Sequence, residues 1–174
     1  MSDKVLAVLT GKSRERLLKE GGTSDWVLTP GKVRNFKHVV CVRHGHPPYD
    51  PGPGSRPEPH GAAFLVATIA DVKFTYTDED SGRDRYLVTF GSIVDVLAPN
   101  FWDGSRSPVR YLDVSEVKAR GIDLETLNFL PFEAPRPVEA KPEGVEALTI
   151  MQAKQGLSAM FGVPTEAIEI TIRG

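Results

Sequence analysis

Cysteine is nearly missing from this chain: Cys41 is the single one among 174 residues. One thiol closes no internal disulfide, so a reducing compartment is expected. Cys41 lies between Val40 and Val42 and reads as buried and inert, because reactive thiols need an electropositive, partly open setting. Long apolar runs are missing too. No window approaches the roughly 18 residues of a membrane-spanning helix. The short apolar run after Met1-Ser2-Asp3-Lys4 is too brief for a secretory leader. The expectation is a cytoplasmic protein with no membrane partner. Net charge is only −2, which excludes a general polyanion binder. No histidine follows His60.

What is present is ordinary for a globular chain: 40% hydrophobic and 25% charged residues, with length for one cored domain and a small appendage. Charge is uneven. Residues 1–60 hold ten Lys/Arg against six Asp/Glu, and residues 61–144 hold nine against fourteen. A basic first third allows a local phosphate-facing surface; scatter over solvated faces explains it as well.

Two β-branched runs, 37–44 and 62–72, read as buried strands. They are joined by loop 45–60, whose six prolines remove backbone donors and rule out a helix or a sheet interior. A loop this long is either a cover beside a pocket or a tolerated insertion. Residues 5–10 read as a strand. Gly11-Lys12-Ser13 has the ending of a phosphate loop, but Leu6 stands where the cradle needs glycine, so that cradle is excluded. Ser13 instead caps a helix over 14–20 that Gly21-Gly22 ends. Residues 24–28 read as extended, and Thr29 caps a short helix starting at Pro30.

Residues 73–77, an acidic turn over 78–84 and residues 85–90 read as a hairpin. Gly91-Ser92 is placed as a bend before 93–97. Phe101 and Trp102 lie in loop 98–108, where they either fold back onto the core or stack on a ligand base. Residues 109–112 form the last strand of the main domain. Ser115 is expected to cap a helix over 116–120, and Asp123 a turn. Four prolines make 131–144 an extended linker. Thr149 and Gln152 form a capping box for a helix over 150–161, with Ile150, Ala153, Leu157, Met160 and Phe161 on one face. Residues 167–172 alternate as a strand. The unit 145–174 is too small for its own core, so it is expected to dock on the main domain, a protein partner or a second copy in a homodimer.

Val42-Arg43-His44-Gly45 is similar to the Arg-His-Gly motif of histidine phosphatases. That likeness implies His44 as phosphoryl acceptor and Arg43 as phosphate ligand. His44 and His46, with His60 or Asp50, also form a candidate set for zinc or iron. It converges only if the chain turns at Gly45, because i and i+2 side chains diverge on an extended strand.

Gly31-Lys32-Val33-Arg34-Asn35-Phe36 resembles the Gly-Val-Arg-Asn-Tyr signature of EVE domains, in the PUA-like group with ASCH and YTH domains. The resemblance spans residues 5–130. It implies a small mixed β-barrel over 1–130 with flanking short helices; with the linker and the C-terminal helix–strand unit read from the residues themselves, the expected fold is α+β. It also implies a non-enzymatic module that recognises a nucleotide or modified base in nucleic acid, without a cofactor. Its lining candidates are Trp26, Arg34, Asn35, Arg43 and Trp102. Arg34 and Arg43 would contact phosphate, and Trp26 or Trp102 would stack. The alternatives carried forward are a phosphohydrolase or metal-dependent hydrolase centred on His44, and a structural, partner-binding subunit. The leading reading requires Asn35, Arg43 and Trp102 to converge on one cavity.

Overall fold

The β-branched runs become the middle of one sheet. The computed structural model describes residues 4–46, 58–135 and 149–171. They belong to two units, Met1–Arg136 and Pro137–Gly174. In the first unit the order is β1 (Lys4–Thr10), α1 (Arg14–Glu20), β2 (Gly22–Trp26), α2 (Pro30–Val33), β3 (His38–Arg43), β4 (Ala63–Thr77), β5 (Asp84–Ala98), β6 (Val109–Asp113), α3 (Val114–Ala119) and β7 (Leu130–Pro131). The second unit contains α4 (Ile150–Phe161) and a 3-10 turn, Thr165–Ala167.

The seven strands form one mixed sheet in the order β2-β5-β4-β3-β1-β6, with β7 added to β5. β1 runs parallel to β3 and antiparallel to β6. The fold is therefore α+β, as expected. The expected barrel is a correction: β2 and β6 end the sheet and share no ladder among the described residues. Periodicity shows which side chains are apolar, and it carries no signal for whether two edge strands meet.

Strand alternation divides the core. Val5, Ala7, Val40, Val42 and Val66 face one cluster, covered by α3 through Val117 and by Phe101, Trp102, Ile122 and Leu124. Leu6, Val8, Val39, Cys41 and Leu65 face the other, covered by Leu17 of α1 and by Val33 and Phe36. With both faces buried, β1 and β3 read as continuous apolar runs.

Local capping follows the sequence closely at α1. The Ser13 hydroxyl accepts from Arg16 N, and Gly21 ends the helix at φ +74°. Thr29 occupies the cap position of α2 without a side-chain hydrogen bond. Asp113, two residues earlier than the expected Ser115, opens α3, and its N–H donates to the Glu116 carboxylate at 2.7 Å. The extended piece lies at Gly22–Trp26, slightly earlier than expected, because Gly22 and Thr23 pair with Thr89 and Val88.

The linker also starts later than expected. Leu130 and Pro131 pair with Ile93 and Ser92, Phe132 N donates to the Gly91 carbonyl, and Phe132 packs on the second cluster. Residues 136–144 lie outside the described residues, as does most of loop 45–60, including Asp50.

In the second unit, α4 has its capping box: Gln152 N donates to Thr149 Oγ1 and Thr149 N to Gln152 Oε1. Gly162 ends it. The expected strand over 167–172 is a correction. Ala167 closes the 3-10 turn, and residues 168–171 make no ladder among the described residues, while Ile172 lies outside them. Alternation alone supplies no partner for a strand's backbone groups. No described helix is long and apolar enough to cross a membrane.

Candidate functional site

The open seam between the two edge strands contains a cavity of about 460 Å³, lined by Asp25, Trp26 and Val27 from the β2 side and by Ser107, Pro108 and Val109 from the β6 side. Ser81 and Arg83, from the turn joining β4 to β5, and Arg85, at the start of β5, complete the wall. The volume lies in the range of small-ligand sites.

Each wall has a local cause. Asp25 adopts φ +70°, a left-handed conformation uncommon for residues other than glycine. The β2–β5 register shifts between Thr23 and Trp26. Trp26 then packs against the second core cluster with its indole N–H on Thr23 Oγ1 at 2.9 Å. Asp78 braces the turn. It accepts the Ser81 hydroxyl and N–H at 2.7 and 2.8 Å and Arg85 Nη2 at 3.0 Å. The Ser81 bonds, followed by the Arg85 charge, hold the Asp78 carboxyl below its ordinary range.

The polar balance of this cavity is incomplete. Arg85 spends Nη1 on the Asp25 carbonyl at 3.3 Å and Nη2 on Asp78, but its Nε is buried with no hydrogen-bond partner among the described residues. A buried donor left unmatched costs about 1–3 kcal/mol. Arg83 is exposed, and its guanidinium makes no ion pair among the described residues. The site thus offers an aromatic wall, two hydroxyls and two guanidinium groups with free donors.

A larger cavity of about 990 Å³ lies by His38, Thr68, Lys118, Asp123 and Phe129. Several of its polar walls are matched to one another. His38 stacks on Phe129 at 5.3 Å, Thr68 Oγ1 bonds to Ser92 Oγ, Lys118 pairs with Asp123 at 2.6 Å, and Asp113 pairs with Lys4 at 2.8 Å. It is the larger hollow, while the seam is the one that brings an indole beside two arginines.

Of the five lining candidates, only Trp26 reaches the seam. Arg34 donates to the Val72 carbonyl at 2.9 Å. Asn35 Nδ2 bonds to the Gly31 carbonyl, and the residue lines a separate hollow with Lys32, Phe36 and Tyr111. Trp102 is 8% exposed within the first core cluster, its indole N–H on the Ser105 carbonyl. It is a core residue with no face open for stacking. Arg43 is 2% exposed, held by Glu58, by the Lys12 carbonyl and by the Phe64 ring at 4.6 Å. The expected convergence of Asn35, Arg43 and Trp102 does not occur.

The histidines do come together. The rings of His44, His46 and His60 stand 4.5 to 5.7 Å apart, brought close where the chain leaves β3 and returns to β4. Yet His60 Nδ1 accepts the Gly45 N–H at 3.1 Å. The neutral ring then carries its proton on Nε2, so neither nitrogen offers a lone pair to a metal. Among the described residues no such group is posed to hold a metal ion. The phosphatase arrangement needs Arg43 open to a phosphate, and Glu58 occupies it.

Sequence reasoning missed Arg83, Arg85, Ser81 and Ser107. The available signal was two arginines, two residues apart, at the start of the hairpin's returning strand. The larger part of the signal is spatial, because the turn and the β6 approach are far apart in the chain. No protein-family model matches the chain, and neither a curated protein nor a solved structure matches it.

Proposed function

We propose that the protein is a non-enzymatic binding module that recognises a nucleotide or modified base in nucleic acid, at the seam between β2 and β6. The observation that carries this reading is the exposed guanidinium of Arg83 in a cavity that Trp26 also lines. Arg83 and Arg85 supply charge-assisted donors to a phosphate, and Trp26 supplies the π-face for a base. A kinship with PUA-like domains agrees with this, supported by the Val33-Arg34-Asn35-Phe36 segment and the mixed sheet.

The test is a fluorescence titration on a Trp102→Phe protein, in which Trp26 is the remaining indole. Nucleoside 5′-monophosphates and short oligonucleotides, plain and base-modified, are added at two salt concentrations. Saturable quenching that weakens with salt and falls about tenfold or more in Arg83→Ala is the expected result. No quenching by any of them, or equal affinity in Arg83→Ala, overturns the reading.

A further inference from the structure

Beyond the seam, β4 and β5 continue as a two-stranded ribbon. Residues 73–77 of β4 are all exposed, and Tyr76 keeps 45% of its surface in solvent. Solvent is a poor neighbour for an aromatic ring this size, and the ring has a definite place. Tyr76 stands directly opposite Arg85 in the β4–β5 register. Residues directly opposite point to the same face and lie about 5 Å apart. The register shift between Phe74 and Tyr76 is what sets Tyr76 against Arg85. The ring therefore neighbours the residue whose guanidinium lines the cavity.

We infer that the ligand is an unpaired strand of at least two nucleotides, with one residue in the seam and the next base stacked on Tyr76. This rests on the seam reading and adds the substrate class. A cavity of about 460 Å³ accommodates one nucleotide but no base pair, so a duplex enters only with its base extruded. A flat ring beside the phosphate ligand then meets the adjoining base of a single strand, and stacking of this kind tolerates any sequence. The acidic turn sets the polarity of the track. Asp78 is tied to Ser81 and Arg85, and Asp84 accepts from Thr77. The exposed Glu79 and Asp80 at the tip repel phosphates, so the strand leaves across Tyr76 and away from the tip.

The experiment compares a nucleoside 5′-monophosphate with the trinucleotide carrying the same nucleotide, on wild type, Tyr76→Ala and Tyr76→Phe. The expected result is a trinucleotide affinity about tenfold or more above the mononucleotide. That gain is lost in Tyr76→Ala and kept in Tyr76→Phe, with mononucleotide affinity equal in all three proteins. A trinucleotide no tighter than the mononucleotide, or a gain that survives in Tyr76→Ala, overturns the inference and leaves Arg83-dependent mononucleotide binding standing. Absence of any nucleotide binding by wild type removes both readings together.

Discussion

Arg43 and Glu58 meet through a single carboxylate oxygen: Nε and Nη2 of the guanidinium both donate to Glu58 Oε2, at 3.0 and 2.8 Å. The arginine is almost wholly enclosed, while the Glu58 side chain keeps 30% exposure. Removing the partner of a buried charge costs about 3–5 kcal/mol, whereas removing Arg43 itself leaves only the Glu58 carboxylate, which keeps contact with solvent. Glu58→Ala is therefore expected to lose about 3 kcal/mol of unfolding free energy in urea, and Arg43→Met less. Equal losses in the two variants would show that the pair is not the cause.

Gly22 pairs with Thr89, and a Cβ at this position would run into the Val88 carbonyl and the Thr89 backbone. Backbone atoms give way poorly, so Gly22→Ala is expected to cost about 3 kcal/mol or more, at the upper end for overpacking. Thermal unfolding measures the loss. Because β2 forms one side of the seam, the same substitution should weaken the nucleotide binding proposed for it even at temperatures where the protein stays folded.

Burial pushes the Cys41 thiol up to about 12, against a smaller opposing effect of the Arg43 charge. At neutral pH almost no thiolate exists, and the thiolate is the reactive form. The expected outcome is no reaction with a disulfide reagent in buffer and one equivalent of thiol in denaturant. Labelling of the native protein would contradict the burial of β3.

His38 and His60 both titrate below the ordinary histidine value. Burial lowers His38, with Lys37 adding to it. Burial lowers His60 too, followed by the charges of His46 and His44. The unfolded chain therefore takes up protons first as pH falls. Stability should be level above about pH 6.5 and decline as pH drops through the window between the unfolded and folded values. His38→Phe keeps the stack on Phe129 and should flatten part of that decline. An unchanged pH profile in His38→Phe would assign the slope to other groups.

The elements with local causes were legible in the chain. Ser13 and Gly21 bound α1 because a hydroxyl and a left-handed glycine act within a few residues. The acidic turn between β4 and β5, and the capping box at Thr149, are local in the same way. The two-faced burial of β1 and β3 was visible as unbroken apolar runs. The rest depends on partners distant in sequence. Arg43 reads as a phosphate ligand until Glu58 meets it across the loop. Trp102 reads as a loop aromatic until it is placed under the sheet with Phe101. The seam itself consists of two strands that fail to pair, and no residue in either announces that.

The position of β1 has a consequence for how the chain is assembled. Its two neighbours, β3 and β6, are reached by a parallel crossover and by a return from the far end of the domain, where Val5 faces Leu112. The β4–β5 ribbon needs only a short turn. Loop closure over long separations slows folding more than it affects stability. The ribbon is thus positioned to zip first, and β6 to arrive last. Until it does, β1 stays open along one side, and the seam gains its second wall only in the final step.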